Sequence, residues 1–246
     1  MPELVVVVFG MLVILAAGLI QGTTGFGFMM VSIPLITIFI DPHLAVPVML
    51  IQVSVTSIPI MLHARRHLRI RRMWMMALAG MAGVPIGTLL LRLLDASILR
   101  LFIGALVTAA AIAMLFGFRK TLGRERVASV PIVFASGVLG AATGLAGPPV
   151  ILFYNNQSIE PQEFRANLVA YFIMLDVVTL PSFFIAGLFT REAILLGVYL
   201  LPASLLGILA GIGINRLVKE RLFRYIALFL IIASGIIAIA TGISGA

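Results

Sequence analysis

Gln21-Gly22-Thr23-Thr24-Gly25-Phe26-Gly27-Phe28-Met29-Met30 is a glycine cluster set between two apolar runs. A second cluster, Gly140-Ala141-Ala142-Thr143-Gly144-Leu145-Ala146-Gly147-Pro148-Pro149-Val150, interrupts apolar sequence in the same way further along the chain. Glycine lets the backbone leave helical geometry. Proline is favoured in the first turn of a helix. Each cluster therefore reads as a break between two helices. The fold turns on whether the chain continues across a membrane at these breaks or turns back.

The rest of the sequence requires the membrane. Of 246 residues, 62% are hydrophobic and 11% are charged, against about 25% charged in an ordinary soluble domain. Apolar segments are read at 4–20, 26–40, 44–62, 73–94, 98–118, 128–142, 147–159, 163–188, 192–214 and 221–243. Most are long enough to address a hydrocarbon core of ~30 Å. In lipid the backbone must satisfy its own polar groups, so the segments are helices. The short alternating strands of a membrane β-barrel are absent. A net charge of +8 sits in loops between these runs, which is the pattern of cytoplasmic loops; no nucleic-acid partner is expected. Met1-Pro2-Glu3 lacks the basic opening of a signal peptide, so the first apolar run is expected to stay in the mature chain. There is no cysteine, which excludes disulfides and thiolate metal sites.

The second half echoes the first. A shift of 119 residues lays Gly18 on Gly137, Thr24-Gly25 on Thr143-Gly144 and Asp41-Pro42 on Glu160-Pro161. Towards the end of each half the shift becomes 124, laying Gly83 and Gly87 on Gly207 and Gly211, and Arg92 on Arg216. The chain divides into a first repeat, 1–118, a basic cytoplasmic linker, 119–127, and a second repeat, 128–246. If residues 4–40 and 128–159 each cross once, the Lys and Arg residues split 10 to 7 between the two sides. If each enters and returns as a hairpin, 14 fall on one side and only Arg92, Arg100 and Arg191 on the other. The lopsided split obeys the positive-inside rule far better. The expectation is an all-α membrane protein: a multi-helix bundle of two inverted-topology repeats, each starting with a broken-helix (re-entrant) hairpin. Both termini are then outside the cytoplasm, in the inner membrane.

Placed at the start of each half, the two clusters resemble those of the sulfite exporter TauE/SafE family, also called the 4-toluene sulfonate uptake permeases. The resemblance covers nearly the whole chain, because segment count, duplication and loop positions agree as well. The family's triple-glycine run is represented by Gly25-Phe26-Gly27 and by Gly144-Leu145-Ala146-Gly147-Pro148-Pro149. Glu163-Phe164-Arg165-Ala166-Asn167 looks like a subgroup pattern. The resemblance implies transport of small sulfur-containing or other organic anions.

The residues themselves suggest how. A helix N-terminus presents unpaired N–H groups and roughly half a positive charge. Two such ends meeting at mid-membrane make an anion site without a charged side chain. The candidate binding residues are Gln21, Thr23, Thr24, Gly25, Gly27, Thr143, Gly144 and Gly147 at the breaks, with Gln52 and Ser57 from the polar stretch of segment 44–62. The competing reading is that the glycines only let helices pack closely, the role assigned to Gly83, Gly87, Gly207 and Gly211. Asp176 lies in the middle of segment 163–188, where an ionised carboxylate costs ~2.5–3.5 kcal/mol. It reads as a proton-coupling group, or as a structural aspartate bonded to Thr179 or Gln52.

The remaining polar residues carry blander readings. Arg165 reads as an interfacial anchor that could also guide anions. The Arg65–Arg72 run is expected to meet anionic lipid headgroups. His63 and His67 have metal-ligand spacing but lie among arginines. His43 has no evident partner, and Asn155, Asn156 and Gln157 read as caps at the interface. No nucleotide-binding loop, zinc-protease motif or hydrolase elbow occurs, so neither a cofactor nor an enzymatic activity is expected. The reading is a secondary carrier exporting sulfite-like or sulfonate-like anions, coupled to protons by alternating access about a midplane site. A passive anion channel and a non-transporting subunit that recruits partners stay open, as does a homodimer.

Overall fold

Apolar runs closed off by Gly, Pro and Asp become helices whose ends sit at those residues. In the computed structural model, which describes residues 2–64, 66, 68, 70–116, 125–155, 161–214 and 220–244, ten helices follow one another. They are α1 (Pro2–Thr24), α2 (Phe28–Ile36), α3 (Pro42–Ala64), α4 (Ile70–Leu93), α5 (Ala96–Leu115), α6 (Glu125–Thr143), α7 (Gly147–Asn155), α8 (Pro161–Ile185), α9 (Arg191–Ile214) and α10 (Glu220–Ser244). No strand occurs among the described residues. Six of these helices are long and apolar enough to cross a bilayer: parts of α1, α3, α4, α5, α8 and α9. Large apolar side chains such as Leu12, Phe102, Phe184 and Phe229 stand exposed on the outside of the bundle. That surface suits lipid and not water. The chain is a multi-pass membrane protein.

The nine-residue helices α2 and α7 span only about 14 Å at 1.5 Å per residue, half of a ~30 Å core. The first of them folds back along its predecessor. Phe9 in α1 and Phe39 just after α2 meet edge to face with ring centroids 5.0 Å apart, and Gly10 faces Ile36. The reversal lies at residues 25–27, where Gly25 has φ 84° and Gly27 φ 98°. These are left-handed conformations that side-chain-bearing residues avoid. Gly144 takes φ 78° at the second break. α1 extends beyond the segment read at 4–20, reaching 23 residues from Pro2 to Thr24.

Helices pair across the two halves. α1 lies along α9 and α4 along α6, while α5 packs on α10. α3 touches α8 and α9, α8 touches α4, and α2 and α7 reach α10 and α5 respectively. Exchanging α1–α5 with α6–α10 reproduces these pairs. The same exchange holds at single residues. A Cβ on Gly83 would run into the Phe134 carbonyl, and one on Gly207 into the Leu15 carbonyl; Gly87 and Gly211 meet the carbonyls of Val138 and Leu19 in the same manner. The partners differ by 119 in number and the glycines by 124, the two shifts found in the sequence. Glycine at these seams lets backbones touch, which replaces the hydrophobic drive that helices lack inside lipid.

Candidate functional site

Both breaks are built alike from their own threonines. The Thr24 hydroxyl lies 2.8 Å from the Ile20 carbonyl and 2.6 Å from the Phe26 carbonyl, and it accepts the Phe26 N–H at 3.3 Å. The Thr143 hydroxyl donates to the Leu139 carbonyl at 2.7 Å and accepts the Leu145 N–H at 3.3 Å. Thr23 turns back to the carbonyls of Leu19 and Ile20. Threonine near a helix end bonds its own preceding turn readily. These hydroxyls therefore close the helix ends.

The two breaks meet at one cavity of about 70 Å³, several times the ~10–15 Å³ that one water needs. Gln21 and Gly27 come to it from the first break, Gly144 and Gly147 from the second, and Asp176 and Thr179 from α8. Leu50 and Val53 of α3 close another side. Its polar side chains are Gln21, Asp176 and Thr179, and no Lys, Arg or His is among the lining residues. Gln21 is only 3% exposed, and its amide oxygen has no partner among the described residues. Thr179 donates to the Leu175 carbonyl at 2.9 Å. Thr23, Thr24, Gly25, Thr143, Gln52 and Ser57 do not line the cavity.

The partners of the deep polar residues differ from those read in the sequence. Asp176 is bonded by Ser54, whose hydroxyl lies 2.9 Å from its carboxylate, and not by Thr179 or Gln52. The Gln52 amide instead donates to the Gly197 carbonyl, and its oxygen accepts the Ser204 hydroxyl at 2.8 Å, tying α3 to α9. Ser57 is fully buried and its hydroxyl has no partner among the described residues. His43, which lacked an evident partner, lies 2.6 Å from Asp41 and 3.0 Å from the Leu94 carbonyl. Nearby, Arg100 donates to the Thr37 carbonyl at 2.9 Å. Together they fasten the exit of the first hairpin to the α4–α5 turn.

Three residues support the breaks without lining the cavity. Arg165 donates to the Gly22 carbonyl at 2.9 Å, and its stem packs where a Cβ on Gly25 would sit. A cation at a helix C-terminus also suits the helix dipole. Ser136 donates to the Ala146 carbonyl, and the Tyr171 hydroxyl lies 3.0 Å from Ser136. Ser136 and Tyr171 were legible only as isolated polar groups in apolar runs, a signal too common to single them out. Among the described residues no group of His, Asp and Glu could hold a metal. Asn156, Gln157, His67, residues 119–124 of the linker and most side chains of the Arg65–Arg72 run lie outside the described residues.

No curated protein and no solved structure matches the chain. A family model described as sulfite exporter TauE/SafE matches residues 10–238, which takes in both breaks, the cavity, all of α2 to α9 and most of α1 and α10. The chain belongs to the sulfite exporter TauE/SafE family.

Proposed function

We propose that the protein is a secondary carrier of small anions such as sulfite or a short sulfonate, exporting them across the cytoplasmic membrane with a proton-coupled, alternating-access cycle. The observation that carries this reading is the cavity lined by both glycine breaks. A buried pocket between two helix N-termini attracts anions and can be opened from either side by rocking one half against the other. The exchange of helix contacts between the halves supports two repeats, and the charge split of 14 to 3 supports their inverted orientation, with re-entrant hairpins and both termini outside. Asp176 is the coupling group in this scheme. A carboxylate and an anion sharing one low-dielectric cavity repel each other, so protonation of Asp176 in one state of the cycle and occupancy by the anion are linked. The Arg65–Arg72 run holds the cytoplasmic face to anionic headgroups.

The test is solid-supported-membrane electrophysiology on proteoliposomes, with jumps of sulfite, sulfonates, sulfate and acetate across an imposed pH gradient. A substrate-specific current that follows the gradient is expected. Silence with every anion, from folded protein, would leave a non-transporting subunit as the better reading, and current without coupling would leave a channel.

A further inference from the structure

The cover over the cavity differs at the two breaks. Phe26 of the first break lines the cavity and is half-buried. Phe164, near the start of α8, meets it edge to face, with ring centroids 6.2 Å apart and the planes at 86°. The next residue, Arg165, straps the same turn. Its guanidinium donates to the Gly22 carbonyl at 2.9 Å, and its stem lies 2.9 Å from where a Cβ on Gly25 would sit. Phe164 and Arg165 do not line the cavity, and both are half-buried. They form the outer face of a thin cover whose inner face is Phe26.

The second break has no such cover. The shift of 119 lays Phe164 and Arg165 on Ala45 and Val46 at the start of α3, and Phe26 on Leu145. Ala45 and Val46 are 0% and 1% exposed, and both belong to the packed core. Nearest to a Cβ on Gly144 are Ile33 and Met29 of the first hairpin. Core packing of this kind yields only when many contacts are lost together. A ring edge and a strap over one turn can swing aside with a single helix end. Resting on the inverted-repeat carrier reading above, which puts the start of α8 at the cytoplasmic face, we propose that Phe26, Phe164 and Arg165 form the cytoplasmic gate of the cavity. The gate is shut in this structure, and it opens when the first turn of α8 lifts from the first break.

The chain has no cysteine, so Thr179→Cys places a single thiol on the wall of the cavity that Thr179 lines. Its modification by a small membrane-impermeant methanethiosulfonate is timed from the cytoplasmic face in inside-out vesicles and from the outer face in intact cells. Folding of each variant is checked by a monodisperse size-exclusion profile in detergent. Modification from the cytoplasmic face is expected to be slow with Thr179→Cys alone. Adding Phe164→Ala is expected to speed it about tenfold, the factor that loss of an edge-to-face aromatic pair gives to an opening equilibrium. Arg165→Ala is expected to act in the same direction, while Phe164→Leu, which keeps most of the bulk, stays close to the starting rate. The rate from the outer face is expected to be unchanged throughout. An unchanged cytoplasmic rate in folded Phe164→Ala protein would overturn the proposal, and so would equal acceleration from both faces. Acceleration from the outer face alone would overturn the orientation on which the proposal rests. A missing anion current alongside the expected cytoplasmic acceleration would sink the carrier reading and leave the gate.

Discussion

Arg165, near the start of α8, donates from its guanidinium to the carbonyl of Gly22, near the end of α1, at 2.9 Å. The two residues are 143 apart in sequence, and the bond seats α8 on the turn that forms one wall of the cavity. Arg165→Ala removes a charged donor from a carbonyl at a helix end, a loss of about 1–3 kcal/mol. The expected result is a lower thermal unfolding temperature in detergent and weaker anion binding. Arg165→Lys keeps the charge without the planar fork and is expected to fall between the two. An unchanged melting curve for the alanine variant would count against the clamp.

Asp176 provides the second prediction. Asp176→Asn keeps the shape of the side chain and can still accept from Ser54. Folded protein is expected in normal yield, with any anion current no longer responding to a pH gradient. The same dependence on pH in the variant as in the natural chain would remove Asp176 from the coupling step.

Glycines differ sharply in what they tolerate, and this is measurable. Gly207→Ala places a methyl against the Leu15 carbonyl, so loss of folded yield is expected at a seam that cannot widen cheaply. Gly187 has φ 71° but nothing within 4 Å. Gly187→Ala is expected to cost only the backbone strain, about 1–2 kcal/mol. Gly213 lies in α9 with open space around it. Gly213→Ala is expected to be neutral or stabilising by up to ~1 kcal/mol, from helix propensity alone.

The orientation can be read chemically because the chain has no cysteine of its own. Single cysteines at Arg66 and Glu192, both exposed, report opposite sides of the proposed topology. In intact cells a membrane-impermeant maleimide is expected to label Glu192→Cys and to spare Arg66→Cys until the cells are opened. The reverse pattern would invert the arrangement.

Much of this architecture is written in local sequence. The breaks fall at Gly25, Gly27 and Gly144 because only glycine holds those backbone angles comfortably, so composition located them. The seams at Gly83, Gly87, Gly207 and Gly211 were legible as spaced small residues. The hydroxyls of Thr24 and Thr143 point home for an equally local reason, their position one turn past an available carbonyl. Gln52 was different. Its place in the polar stretch of segment 44–62 made it a candidate binding residue, but its partners on α9 lie 145 and 152 residues away. Nothing near residue 52 encodes the register of that packing. The Ser54–Asp176 bond and the Arg165–Gly22 bond were hidden for the same reason.

The seam between α1 and α9 has a consequence for biogenesis. Gly22 on α1 packs against Ile208 and Gly211 on α9, so α1 leaves the ribosome long before the helix it packs on. At about 5–20 residues per second, the 186 residues between Gly22 and Ile208 take roughly 10–40 s to make. Throughout that interval the glycine-lined face of α1 has no permanent neighbour and must be shielded by lipid or by the insertion machinery. The α4–α6 seam closes much sooner. Assembly is thus ordered by translation itself, and a chain truncated before α9 is a natural substrate for membrane quality control.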